Sequence, residues 1–454
     1  MTCRTPFPAS TPEDRRPQLA ESSTFDAIVI GAGAGGLFTA ARLSHLGYRT
    51  LVVECLDKVG GRASTDDIDG FKVNNGAIVI ETGGITEETF AEVGAEFDVR
   101  SPQPPILYRM GKKDVDVTGG GWGFMLSKMT RQGAIIAKGI GAARHDDGLP
   151  ESEISTAAWV RKFTRNKAVQ SIFRSMCGSV FSVSSEELPA RVFLTYFTRK
   201  SAFKKFGFVP QGTIGIWQSL ATAIERNGGE IWLESEVRAL SMSGGEVTGA
   251  TIERAGTSTE VSTRFVVSDV GPAATVSLVG AHNLPDKYLA EVTAADRPCA
   301  MIVVNFASQE RLFEAPGMLS FTRTQRLVYA ANFTDTCPEM APKGWNLYVG
   351  AAVPEPAVGD FDEKHELELT MQDLRNELPG FENARILSIN VMRDGWPPQR
   401  AVSGFDLAPG TPIKNLWNVG DGVKEYANGG TTACAETAKI IVDEATALFP
   451  LVAA

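Results

Sequence analysis

The chain has 454 residues, 43% of them hydrophobic and 22% charged, an ordinary balance for a globular protein and too long a chain for one core, so two domains are expected. A formal net charge of −10 leaves no overall basic field for phosphates and argues against a nucleic-acid partner. The six cysteines form no CxxC pair, which excludes a zinc site or disulfide framework and fits a reducing, cytoplasmic setting. His45, His145, His282 and His365 stand at no metal-ligand spacing from one another.

Residues 1–23 are rich in Pro, Ser, Thr and charge, lack the apolar stretch of a secretory signal, and read as a disordered tail. From Phe25 the chain changes character. FDAIVIG is a β-branched run ending in glycine, as a buried parallel strand should be. It leads into Gly31-Ala-Gly-Ala-Gly-Gly36, a helix-patterned LFTAARLSHLG, and a second strand, YRTLVVE, ending at Glu54. Gly31 permits the tight turn, Gly33 lets the backbone approach a pyrophosphate, and Gly36 lets the helix pack closely on the strand. The helix N-terminus offers free N–H groups and partial positive charge to phosphates. Glu54 is spaced to accept hydrogen bonds from a ribose diol and would repel a 2′-phosphate. A lone glycine pattern is weak evidence. Between two strands and followed by an acid, it predicts a dinucleotide site.

Directly after Glu54 comes CLDKVGGRAST, with Gly60, Gly61 and Arg62. Here the chain resembles the flavoprotein superfamily of amine oxidases and phytoene desaturases, closest to the phytoene-desaturase-like members. In that family this turn wraps the cofactor phosphates, which implies that the Arg62 guanidinium pairs with the pyrophosphate. FKVNNGAIVI (71–80) resembles the next segment, which passes near the isoalloxazine. The block 209–240 resembles the family's return to the cofactor domain, with the backbone of Val237 meeting the adenine. RFVVSDVGPAAT (264–275) resembles the strand and Asp-x-x-Pro turn of desaturase relatives. NLWNVGDGVKEYANGGTTACAETAKIIVDEA (415–445) resembles the closing motif. There the resemblance places Gly420 and Asp421 at a strand end against the ribityl or pyrophosphate region. It sets Gly430 and Thr431 at a helix start aimed at the flavin, where the helix dipole would stabilise reduced flavin. The implied cofactor is FAD. Neither Cys55 nor Cys434 lies in a covalent-flavin motif, so binding is expected to be non-covalent.

The resemblance implies an α/β fold in which a discontinuous Rossmann-type FAD-binding domain (24–100, 205–280 and 400–454) carries an inserted α+β substrate domain (101–204 and 281–399). Strand-like runs at 300–306, 326–333 and 346–353 suggest a mixed or antiparallel sheet walling the pocket. Segment 150–205 reads as helical and is dense in aromatics, from Trp159 and Phe163 to Phe208. Such rings are most often core, and as a group they are candidates for lining an apolar substrate pocket. Residues 126–144 mix four cations with isoleucines: most simply a solvated helix face, or else a peripheral contact with an anionic membrane.

No triad, metal cluster or acid/base pair is evident. The local candidate for a catalytic group is Tyr426, by resemblance on the loop facing the flavin, with a packed loop aromatic as the plainer reading. Lys424 and Glu425 beside it read as solvated loop charges, and Trp396 as a pocket wall. Three functions follow. The first is a desaturase moving hydride from a CH–CH unit of a hydrophobic or cyclic ketone or polyene substrate to flavin N5, with oxygen, a quinone or another flavoprotein as electron acceptor. The second is a flavin amine oxidase, or a redox-neutral FAD-dependent isomerase; GDGVKEYANGG departs from the oxidases' closing stretch. The third is an escort protein on the same fold, which the intact cofactor motifs disfavour.

Overall fold

The computed structural model describes residues 24–116, 149–151, 153–199 and 205–451. The amphipathic stretch 126–144 and the tail 1–23 lie outside the described residues.

Strand β1 (Thr24–Ile30) runs parallel to β2 (Thr50–Val53) on one side and to the end of strand Thr257–Ser268 on the other. Strands Glu230–Trp232 and Leu416–Asn418 extend this parallel core outward. Strands Ser235–Ser243 and Glu246–Arg254 form an antiparallel meander with the first half of Thr257–Ser268. All four residues of β2 and the last four of β1 are buried, because both faces of the sheet are covered. On one face helix α1 (Ala34–His45) packs against helices Ile214–Arg226 and Gly430–Leu448. The other face is covered by helices Pro272–Val279 and Asp286–Ala295. The sequence reading put residues from 281 onward in the inserted segment. The structure corrects this: Leu284, Tyr288 and Val292 are apolar enough to join the core under the first sheet.

The second sheet has seven strands in the order 385–392, 301–308, 346–352, 327–332, 318–321, 106–110 and 113–116. Every pair is antiparallel except 318–321 with 106–110, so the sheet is mixed. Its central strands are buried on both faces, which accounts for their near-continuous hydrophobic runs. Helices Thr156–Phe163, Lys167–Phe181 and Ala190–Arg199 pack on one face. Helix Glu363–Glu377 covers the other, its first turn capped by the Asp362 side chain, which accepts from His365 N at 3.1 Å.

The β1–α1 turn depends on two glycines. Gly31 sits at φ +95°, a conformation that side chains disfavour, and a Cβ on Gly36 would collide with the Gly31 carbonyl oxygen. Gly36→Ala should therefore lower stability by about 3 kcal/mol, at the top of the usual overpacking range. Denaturant unfolding of the variant checks this.

Candidate active site

Between the two sheets lies a cavity of about 990 Å3, at the top of the size range of small-molecule sites, roughly 300–1,000 Å3. One end is built by the β1–α1 turn, where Gly31 and Gly33 line it. The helix behind them starts at Ala34, and its N-cap, Gly33, has no side chain to cap it. Glu54, at the end of β2, also lines the cavity. Its Oε2 accepts from Ala32 N at 2.7 Å and its Oε1 from Leu56 N at 2.9 Å, so the acid expected to hold a ribose also braces the glycine turn. Oε1 also accepts from the Cys55 thiol at 3.5 Å, and Oε2 keeps a second lone pair for a diol. Val237 and Arg238 line the same end, where a register shift interrupts the strand ladder.

The Gly60–Gly61–Arg62 turn is tied to the first glycine loop by Gly60 N donating to Ala32 O at 2.8 Å, and Trp217 Nε1 donates to Ala63 O at 2.9 Å behind it. The resemblance places the Arg62 guanidinium on the pyrophosphate and Asp421 against the ribityl or pyrophosphate region. In the structure each also holds the other: Arg62 Nη1 and Nη2 donate to the two Asp421 oxygens at 2.9 and 2.6 Å. Arg62 Nη1 also reaches Pro397 O, and Asp421 Oδ2 accepts from Arg400 N, both at 2.9 Å. The pairing has a simple cause, since two opposite charges out of water are stabilised most by a bidentate pair. Both residues still line the cavity, and three of the five guanidinium N–H groups are used. Burial disfavours the Asp421 charge, but Arg62, Arg400 and Lys424 override it and hold the carboxyl well below the usual range.

Gly420 and Gly36 do not line the cavity; they are packing glycines, a Cβ on Gly35 lying 3.0 Å from the Gly420 backbone. Gly430 and Thr431, the first residues of the C-terminal helix, do line it. Tyr426 does not. It is 39% exposed and off the cavity wall, so the placement expected of the candidate catalytic phenol is corrected. Lys424, read as a solvated loop charge, is fully buried. It pairs with Asp406 at 3.0 Å and donates to the carbonyls of Ala401 and Asp421. This pair stiffens the loop from behind.

The lining also includes Ile78, Val79, Val180, Met301, Tyr329 and Met392, with Trp396. Among the described residues, the aromatics of 159–208 are absent from the wall. Phe173, Phe193 and Phe197 stack in sequence at centroid distances of 5.3 and 4.5 Å, and Phe181 meets Tyr196 at 5.2 Å, all within the core under the second sheet. Three polar residues at the cavity were given no site role by any motif. Arg400 has a buried Nε with no protein partner, Gln399 a buried Oε1 likewise, and Asp269 faces the β1–α1 turn. The block around Asp269 was legible only as a turn. The PPQR run (397–400) carried no chemical pattern.

A glycine cradle at a helix N-terminus, a diol-accepting acid and an unpartnered buried guanidinium N–H together fit a dinucleotide. Residues 34–425 match the family model described as flavin containing amine oxidoreductase. The chain belongs to that family. Membership implies FAD as the cofactor. A phytoene desaturase of Cercospora nicotianae is 39% identical over 72 residues, 16% of this chain and 12% of that protein. A Mycobacterium tuberculosis protein provisionally named a flavin-containing monoamine oxidase is 23% identical over 290 residues, 58% of this chain and 61% of the other. The aligned stretches thus span less than two thirds of these curated relatives. An oxidoreductase from Methanosarcina mazei superposes with a TM-score of 0.82 at 27% identity, covering 92% of this chain and all of that one. Putrescine oxidase bound to putrescine superposes at 0.70 with 15% identity over 94% of this chain and all of its own, a likeness of fold alone.

Cys434 lines the cavity, but burial pushes its thiol well above the ordinary value and keeps it protonated, consistent with non-covalent FAD. Among the described residues no helix is long and apolar enough to cross a membrane, and no cluster could hold a metal.

Asp421→Asn should cost about 3 kcal/mol, because it leaves the Arg62 charge buried without a counter-charge. The native contribution of this depressed carboxyl is complete above the unfolded Asp pKa of about 4 and is lost as pH falls. Denaturant titrations at several pH values should therefore show the variant's deficit shrinking below about pH 4.

Proposed function

We propose that the protein is a desaturase, removing two hydrogens from a CH–CH unit of a hydrophobic or cyclic ketone or polyene substrate. The observation that carries this reading is the apolar part of the cavity lining. Ile78, Val79, Val180, Met301 and Met392 offer methyl and thioether surface, with Tyr329 and Trp396 the aromatic rings among the described lining residues. Bound FAD supplies a hydride acceptor at its ring. What the chain contributes is position: an apolar slot excludes water and holds a hydrocarbon segment at the flavin end of the cavity.

An alkylammonium substrate calls for aromatic faces around the cation or a carboxylate within reach; this wall offers two rings, Tyr329 and Trp396, amid aliphatic and thioether surface. The acids on the rim, Asp296 and Asp394, are exposed, and Asp269 and Asp421 sit at the dinucleotide end. The relatives named phytoene desaturase favour the same choice, whereas the longer alignment with the Mycobacterium protein keeps amine oxidation as the second reading. The electron acceptor belongs to the proposal too: oxygen, a quinone or a second flavoprotein, distinguished by which of them reoxidises the reduced protein.

Anaerobic mixing with a panel of polyenes, cyclic ketones and amines tests it. Loss of oxidised-flavin absorbance with a polyene or ketone, accompanied by a product of extended conjugation, is the expected result. Bleaching by amines alone would overturn the desaturase reading. In the same assay Met392→Lys, which sets an unpaired charge in the slot, should raise KM at least tenfold, about 1.4 kcal/mol, while FAD content is retained.

A further inference from the structure

Asp269 follows the last residue of strand Thr257–Ser268, with its backbone N–H donating to Ile30 O at 2.8 Å. That bond sets the residue directly against the β1–α1 turn. Its carboxylate is ringed by glycines. A Cβ built on Gly33 would lie 2.5 Å from Oδ2, one on Gly35 2.6 Å from Oδ1, and one on Gly420 would also strike Oδ1. The carboxylate further accepts a hydrogen bond from the backbone N–H of Gly36, inside the first turn of α1. Gly33 is the residue at which a Rossmann turn lets a pyrophosphate approach, and the same helix end is where its charge is stabilised. In this chain the open side of Gly33 already faces an anion-forming side chain.

The groups facing Asp269 can be named element by element. From the 60–64 turn comes Arg62, from the 397–401 segment Arg400, and from the loop after strand Leu416–Asn418 Asp421; the Cys434 thiol stands on the C-terminal helix. With Asp269 ionised, the two carboxylates balance the two guanidiniums. A pyrophosphate then brings two further negative charges into a cradle whose positive charge is already spent.

We propose that Asp269 is the proton-linked residue of the cofactor site: FAD binds in the glycine cradle together with a proton taken up by this carboxyl. Burial raises the Asp269 pKa to about 7, against the opposing pull of the Gly36 N–H, Arg62 and Arg400, with Asp421 adding to the rise. A carboxyl raised in this way is neutral below that value; above it the group is ionised and must take up a proton or repel the phosphates. Affinity for FAD is therefore full below about pH 7 and falls as pH rises, approaching tenfold per pH unit for one linked proton. The cradle glycines are part of this device, since any side chain at Gly33 or Gly35 would displace the carboxylate.

The inference rests on the reading of this cavity as the FAD site. The test is stepwise dilution of the FAD-loaded protein between pH 6 and 9, with released FAD read by its fluorescence. The wild type should show a dissociation constant rising toward tenfold per unit above about pH 7. Asp269→Asn should bind FAD with little pH dependence and at least tenfold more tightly than wild type at pH 9. Asp269→Ser serves as the second variant if the amide does not fold. A wild-type protein that holds FAD with a flat pH profile would overturn the role of Asp269 and leave the FAD site standing. So would variants that keep the wild-type slope. A protein that holds no FAD at any pH would overturn both.

Discussion

A charge taken out of water must meet another charge or be lost, and around the dinucleotide end of this cavity the chain gathers Arg62, Arg400, Asp421 and Asp269. The bidentate contact between Arg62 and Asp421 spans 359 residues of sequence and closes the cleft across the first glycine-rich turns and the final loop. Much of the site's geometry depends on it. The Pro397 carbonyl is drawn in by the same guanidinium, and the Arg400 backbone by the same carboxylate, so the 397–401 segment is fastened as a consequence. Lys424 and Asp406 secure the loop behind this pair and line no part of the cavity.

The two sheets divide the chemistry of the cavity. The first sheet contributes glycine backbone, a helix terminus and charged side chains, which suit phosphates and a ribose. The second contributes Met301 and Tyr329, from strands whose side chains elsewhere fill core, and Met392 at the buried end of an edge strand. A reaction carried by a cofactor asks little of side-chain acids and bases. That is consistent with a wall whose apolar character tells substrates apart by shape and hydration more than by charge.

The dinucleotide half was legible because its requirements are backbone requirements. A turn at positive φ, a contact too tight for a Cβ and a diol-accepting acid each demand a particular residue at a particular spacing, and Gly31, Gly36 and Glu54 supply them. The partnership of Arg62 with Asp421 was not legible, since each was matched to a motif separately and nothing local reveals a contact across hundreds of residues. Tyr426 illustrates the same limit. Its place in a loop near Asp421 was correct in sequence and uninformative about direction, and its ring is turned out of the cavity. The aromatic-rich helices were ambiguous between core and pocket because hydrophobic composition is identical for both; packing decided for core. Arg400 left no local pattern, and the Asp-x-x-Pro turn gave Asp269 no role, as a buried polar group is defined by what surrounds it.

The parallel sheet is assembled from segments made far apart in time. Strand Leu416–Asn418 pairs with Thr257–Ser268, and Asp421 follows three residues after that strand ends. During synthesis, then, the Arg62 guanidinium has to remain hydrated while the whole of the second sheet is made. Its counter-charge does not yet exist. A nascent chain can form the β1–α1–β2 unit early by local contacts, but the cleft around it can close only after Asp421 has left the ribosome. Cofactor capture in this architecture is accordingly a late event in biogenesis, coupled to closure of the whole molecule rather than to folding of the first nucleotide-binding unit.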